Sequence, residues 1–145
     1  MTQTAKISFT LDTTNAKSKL GFEAWIDDSK FYETDHVIAL EHVSLDISDD
    51  DAEHELRLVL KNKTAEHTQL DQAGNIVEDA RLKITNICFD EIQLGHMVTE
   101  QATYNHDFNG TGQTVQEKFY GEIGCNGTVS LKFTSPIYLW LLEHM

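Results

Sequence analysis

The 145-residue chain sets 11 lysine and arginine residues against 24 aspartate and glutamate residues, a formal net charge of −13 at pH 7. So acidic a surface repels phosphate backbones and anionic headgroups, which excludes nucleic-acid binding by counterion release and adhesion to an anionic membrane. Its 40% hydrophobic content, with 8 glycines and 1 proline, describes a single folded domain over residues 1–145 with a core of its own, and excludes collagen-like and low-complexity classes.

The opening MTQTAKISFTLD has no basic segment followed by an apolar one, so it does not read as a secretory leader. Ile7, Phe9 and Leu11 alternate with Lys6, Ser8 and Thr10, a first half-buried strand. After the polar DTTNAKSK, the segment LGFEAWID puts Leu20, Phe22, Ala24 and Ile26 on one face and Gly21, Glu23 and Trp25 on the other. Asp27-Asp28 ends that strand. Residues 30–33 suggest a short strand, and residues 37–40 with Val43, Leu45 and Ile47 suggest one or two more before the acidic loop 48–51.

The clearest alternation is HELRLVLK, where Leu56, Leu58 and Leu60 share a face. In DQAGN, residues 71–75, a carboxylate and a glycine predict a tight reversal. Leu82 and Ile84 resume the alternation, but Ile87, Phe89, Ile92 and Leu94 fall on shifted parity. A slip of one residue turns side chains to the opposite face, which predicts bulges or turns near Thr85-Asn86 and Asp90-Glu91. Residues 95–103, with Met97 and Val98, are a weak strand, and YNHDFNGTGQT has the composition of a long exposed binding loop. Residues 118–123 and 128–134 read as strands joined through Asn126-Gly127 as a hairpin turn, with Val129, Leu131 and Phe133 inward. About eight to ten short strands with no sustained helical period predict an all-β, antiparallel, jelly-roll-like β-sandwich.

The C-terminal SPIYLWLLEHM breaks this grammar, being apolar on both faces as a strand and nearly all round as a helix. It is covered either by the sandwich or by another subunit. In a strand Tyr138, Trp140 and Leu142 point away from Ile137, Leu139 and Leu141, and these three are the expected assembly interface.

Seven histidines occur without H-E-x-x-H or Cys-x-x-Cys, and no G-x-S-x-G or phosphate loop is present, so the chain reads as a non-enzyme without zinc. Cys88 and Cys125 read as free thiols. Asp49, Asp50 and Asp51 supply hard oxygens for weakly held calcium but lack the glycine and terminal glutamate of an EF-hand; no other cofactor is expected. Trp25, with Tyr32 near it, is the best aromatic contact for a glycan or partner, and packing under a neighbouring strand or subunit is the plainer role for the same ring.

The succession LGFEAWIDD…FYETDHV, HELRLVLKNKT, GNIVEDARLKITNICFDEI and FYGEIGCNGTVSLKFTSPIYLWLLE resembles small virion proteins of tailed bacteriophages, whose β-sandwich is similar to calcium-dependent carbohydrate-binding modules. The resemblance implies a non-enzymatic virion structural protein, an adaptor, decoration or fibre-attachment module in neck, tail or capsid surface. Such a protein is made in the host cytoplasm, resides in the virion, and has other virion proteins or its own copies as partners. The alternative is a carbohydrate-binding module that attaches a particle or enzyme to polysaccharide. Tyr138 and Trp140 at a protein interface favour the first; Trp25 exposed beside a calcium site favours the second.

Overall fold

Period-two patterning becomes strand wherever the apolar face can be covered, and here two antiparallel sheets cover one another. The structure, a computed structural model, describes residues 4–14, 19–48, 50–63, 68–70, 72–74, 76–106 and 113–144. In chain order these form β1 (Thr4–Thr13), β2 (Gly21–Ile26), β3 (Ser29–Thr34), β4 (Glu41–Ser48), β5 (Glu53–Lys61), β6 (Thr68–Leu70), β7 (Ile76–Asp79), β8 (Leu82–Phe89) and β9 (Ile92–Gln93). Helix α1 (His96–Gln101), β10 (Thr103–His106), β11 (Val115–Lys118), β12 (Glu122–Ile123), β13 (Gly127–Thr134) and helix α2 (Ile137–His144) follow.

One sheet runs β12-β8-β1-β4, with β9 also on β8; the other runs β11-β10-β13-β5-β2-β3. Among the described residues, strands β6 and β7 pair only with each other. The expected β-sandwich is the fold. Ile7, Phe9, Leu20, Phe22, Leu56, Leu58, Leu82, Ile84, Val129, Leu131 and Phe133 are all buried, as their parity requires. Phe9 of one sheet meets Phe22 of the other edge-on, with ring centroids 5.9 Å apart.

The parity slip in β8 has a local cause. Asn86 takes φ 54°, and the β1–β8 register shifts between Ser8 and Thr10, so Ile84 and Ile87 both reach the core across one extra residue. Asp90 and Glu91 both have positive φ and join β8 to β9 where Phe89 pairs with Ile92, the two-residue reversal expected there. Of the reversal expected at 71–75, Gly74 has φ 86° between β6 and β7, while Asp71 and Asn75 lie outside the described residues.

Several expectations are corrected. Residues 37–40 form no strand, and Ile38 and Leu40 are exposed; only Val37 is buried. The segment expected as a strand at 95–103 is α1, which buries Met97 and Val98, and strand resumes at β10 inside the segment expected to be loop. Residues 107–112 of that loop lie outside the described residues. Asn126-Gly127 is not a hairpin turn between neighbours, because β12 pairs with β8 in one sheet while β13 pairs with β10 and β5 in the other. The Asn126 side chain instead accepts the Lys63 amide at 2.9 Å and donates to the Lys63 carbonyl at 2.8 Å. Cys88 and Cys125 are both half-buried.

The C-terminal segment resolves as helix α2. Helical spacing gathers Ile137, Trp140 and Leu141 onto its buried face, while Tyr138, Leu139 and Leu142 are 52%, 58% and 68% exposed. Trp140, expected at an assembly interface, is only 4% exposed, because a helix returns i, i+3 and i+4 to one side where a strand would have turned it outward. Its ring packs on Phe89 at 5.7 Å and Phe133 at 6.4 Å, joining both sheets at this end of the sandwich. Among the described residues no helix is long and apolar enough to cross a membrane.

Candidate functional site

At the end of the sandwich that α2 covers lies a cleft of about 470 Å³, within the size range of small-molecule sites. Phe133 and Trp140 form its apolar part; Asp27, Glu53, Glu55 and Glu143 bring carboxylates to it; His54, Lys132 and His144 bring nitrogens. These residues come from the β2–β3 turn, the start of β5, the end of β13 and helix α2. The cleft is thus made where four separate stretches of chain meet.

His54 sits on the same parity as Leu56, Leu58 and Leu60, so β5 aims it inward at the sandwich end, where its ring lies 5.7 Å from that of Phe133. Nδ1 lies 2.7 Å from Asp27 Oδ2 and Nε2 lies 2.8 Å from Asp50 Oδ1. Burial alone would depress the pKa of His54, but the hydrogen bonds and charges of the two carboxylates outweigh it, and the net direction is upward. Asp27 is drawn below its ordinary range although burial opposes this, because His54 and the Glu55 amide both donate to it. Asp50 is lowered chiefly by its hydrogen bond to His54. Across the cleft the His144 Nδ1–H donates to the Trp140 carbonyl at 2.8 Å, and the two ring centroids lie 4.6 Å apart with the planes tilted by 33°.

Trp25 borders this site through Arg57. Trp25 is on the outer face of its sheet, with Arg57 Cζ 5.3 Å and Lys30 Nζ 5.6 Å from its ring centroid. The same guanidinium donates to the Asp27 carbonyl at 2.5 Å and pairs with Glu55 at 3.5 Å, so the indole and the cleft rim share one cation. The Trp25 Nε1–H donates to Glu23 at 2.9 Å, and Lys61 binds Glu23 at 3.0 Å and Glu33 at 2.6 Å. Hydrogen bonds from Lys61 and Lys30 bring the Glu33 pKa down to about 2.

Tyr32 is not brought to Trp25. In the β2–β3 register it opposes Ala24 and faces inward, its ring 5.9 Å from Phe22 and its hydroxyl donating to Glu41. Burial, then the hydrogen bond and charge of Glu41, push its pKa up to about 12. Because Tyr32 shares the face of Ala24 and Trp25 is the next residue along β2, strand alternation puts the two aromatics on opposite faces of the sheet.

The expected calcium residues do not form a site among the described residues. Asp50 is engaged by His54 and by the Ala52 amide, Asp51 is exposed with φ 57°, and Asp49 lies outside the described residues. No group of three or more His, Cys, Asp or Glu side chains among the described residues is placed to hold a metal ion. Sequence reading passed over Asp27, Glu53, His54, Glu143 and His144. One signal was legible: a histidine on the apolar parity of β5 needs polar partners when that face is buried.

No family model matches the chain, and no curated protein matches it. Two solved structures share its fold. One is the selenomethionine form of vCBM60, described in connection with a circular permutation linking two families of calcium-dependent carbohydrate-binding modules, with TM-score 0.55 and 10% identity over 88% of this chain and 89% of that one. The other is vCBM60 in complex with galactobiose, with TM-score 0.50 and 12% identity over 87% of this chain and 96% of that one. The fold is that of a carbohydrate-binding-module β-sandwich.

Proposed function

We propose that this chain is a non-catalytic glycan-binding module that takes a short stretch of saccharide in the cleft beside α2, with Trp25 at the rim. The observation that carries this reading is the lining of the cleft. Glu53 and Glu143 offer acceptors for sugar hydroxyls and Lys132 offers a donor, over an apolar base formed by the almost fully buried Phe133 and Trp140. The fold shared with vCBM60, one structure of which holds galactobiose, supports the same class of ligand. Fold likeness leaves the sugar open, so the screen must be broad.

The test is a glycan array carrying galactobiose with longer neutral, amino and uronate oligosaccharides, followed by calorimetry on the best ligand. Binding is expected at micromolar to millimolar affinity, with the ligand recovered uncleaved. Glu53→Gln with Glu143→Gln should weaken it about tenfold, roughly 1.4 kcal/mol, and Trp25→Ala should weaken longer ligands more than disaccharides. An array without signal above background, or ligand recovered as fragments, would remove this reading.

A second reading draws on the exposed Tyr138, Leu139 and Leu142 of α2. In it the chain is an assembly module of a tailed-phage virion, joined to other virion proteins or to its own copies through that helix face. It now rests on Tyr138 and Leu142 without Trp140, which is why glycan binding stands first.

A further inference from the structure

We propose that the His54 imidazolium is the structural cation that ties the β2–β3 turn to the β4–β5 loop, and that this junction takes no calcium. Both neighbours in fold are vCBM60, one described in connection with calcium-dependent carbohydrate-binding modules, and acidic loops are a place where calcium would find oxygen ligands, so a divalent ion is the alternative to weigh here. Here the two carboxylates that approach one another from separate loops, Asp27 and Asp50, are bridged by a ring.

The hydrogen bonds decide the ring's charge. A carboxylate held below its ordinary pKa has only acceptors, so a nitrogen 2.7 Å from Asp27 and another 2.8 Å from Asp50 must each donate. Neutral imidazole has one N–H; only imidazolium has two. The His54 side chain is 12% exposed, so the ring is held largely out of solvent, while Asp27 and Asp50, 48% and 43% exposed, leave the pairing partly screened.

The same geometry turns calcium away. Calcium requires six to eight oxygens at about 2.3–2.6 Å. The other oxygen of Asp27 accepts the Glu55 amide at 2.9 Å, and the Asp50 oxygen that meets His54 also accepts the Ala52 amide at 3.2 Å. The ring between them blocks their closure on a common ion and presents like charge to it. Arg57 donates to the Asp27 carbonyl from β5, adding a second positive group. Lys132 on β13 and His144 on α2 line the same cleft, and beyond Asp27 the negative groups that share it with His54 are Glu53 and Glu55 on β5 and Glu143 on α2. His54 is therefore the cation of the junction itself, and the remaining carboxylates stay turned to the cleft.

The inference does not depend on the glycan reading, because its tests measure stability and protonation. Thermal melts of wild type, His54→Gln, Asp27→Asn and Asp50→Asn at pH 7, in EDTA or in excess calcium at equal ionic strength, separate the two cements. His54→Gln should melt about 3–6 °C below wild type in EDTA. Combining it with Asp27→Asn should cost less than the sum of the two, since the carboxylate left without a counter-ion is then gone. His54→Gln melting with wild type, or a calcium-induced rise in wild type that Asp27→Asn or Asp50→Asn abolishes, overturns the proposal. A measurement on unaltered protein stands beside these: a long-range ¹H–¹⁵N spectrum should show both His54 ring nitrogens protonated at pH 7 and unmoved by calcium. A neutral tautomer, or a calcium-dependent shift of that ring, equally overturns it.

Discussion

His54 makes stability depend on pH from both sides. Folding raises its pKa above the ordinary 6.5, so its contribution is complete below that value and is lost as pH rises through the folded one. Asp27 and Asp50 are held below their ordinary 3.8, so theirs is complete above 3.8 and is lost as pH falls through the lowered values. The melting temperature should therefore be highest between about pH 4 and 6.5 and decline toward pH 9, with His54→Gln flattening the alkaline limb. A wild-type melting temperature that rises across pH 6.5–9 would contradict the assignment. At the same scale Trp25 shows what residue type leaves open. Its alternation against Phe22 and Ala24 already indicated the outer face, but the cations beside it come from β3 and β5 and are set by register.

Helix α2 divides one apolar sequence into two jobs. Ile137, Trp140 and Leu141 close the sandwich end, and Tyr138, Leu139 and Leu142 remain outside. Tyr138 is nevertheless anchored, its hydroxyl donating to Asp90 at 3.0 Å in the β8–β9 turn. Trp140→Ala should lose about 3–5 kcal/mol of stability in a denaturant titration, because it empties the contact among Phe89, Phe133 and His144. Leu142→Asp should stay within about 0.5 kcal/mol of wild type and, under the assembly reading, should abolish any concentration-dependent oligomer seen by light scattering. A wild type that is monomeric at every concentration, alone and with its partner virion proteins, would leave α2 as a cap and nothing more. Elsewhere the single residue Asn86 shows how an element absorbs an irregularity, since one positive φ lets both halves of β8 face the core.

The net charge of −13 acts on the molecule as a whole. Carboxylates outnumber the cations that pair with them, and their mutual repulsion favours expansion. Raising ionic strength from about 0.01 to 0.1 M shortens the Debye length from about 30 to 10 Å, so the melting temperature at pH 7 should rise by a few degrees over that range. A fall instead would mean that surface ion pairs such as Lys61 with Glu23 and Glu33 outweigh the general repulsion. On the glycan-binding reading proposed above, the acidic field would favour neutral or cationic saccharides over polyanionic ones at low salt.

Alternation by itself pointed to a β-sandwich and to the core residues of its main strands, because a period of two can bury only one set of side chains. Leu56, Leu58 and Leu60 needed no tertiary information to be placed inside, nor did Trp25 to be placed outside. The slip within β8 was equally legible, since parity is a local count. Three matters were decided only by tertiary structure. The C-terminal segment satisfies either period, and the open end of the sandwich, which needed an aromatic plug, selected the helix. The separation of β12 from β13 into different sheets turned on which strand edges were vacant, a property of the assembled sheets. The cleft joins Asp27, His54, Lys132 and Glu143 from distant stretches of chain, so its chemistry has no spacing to read: the interaction energies that make it arise between elements only after they have packed.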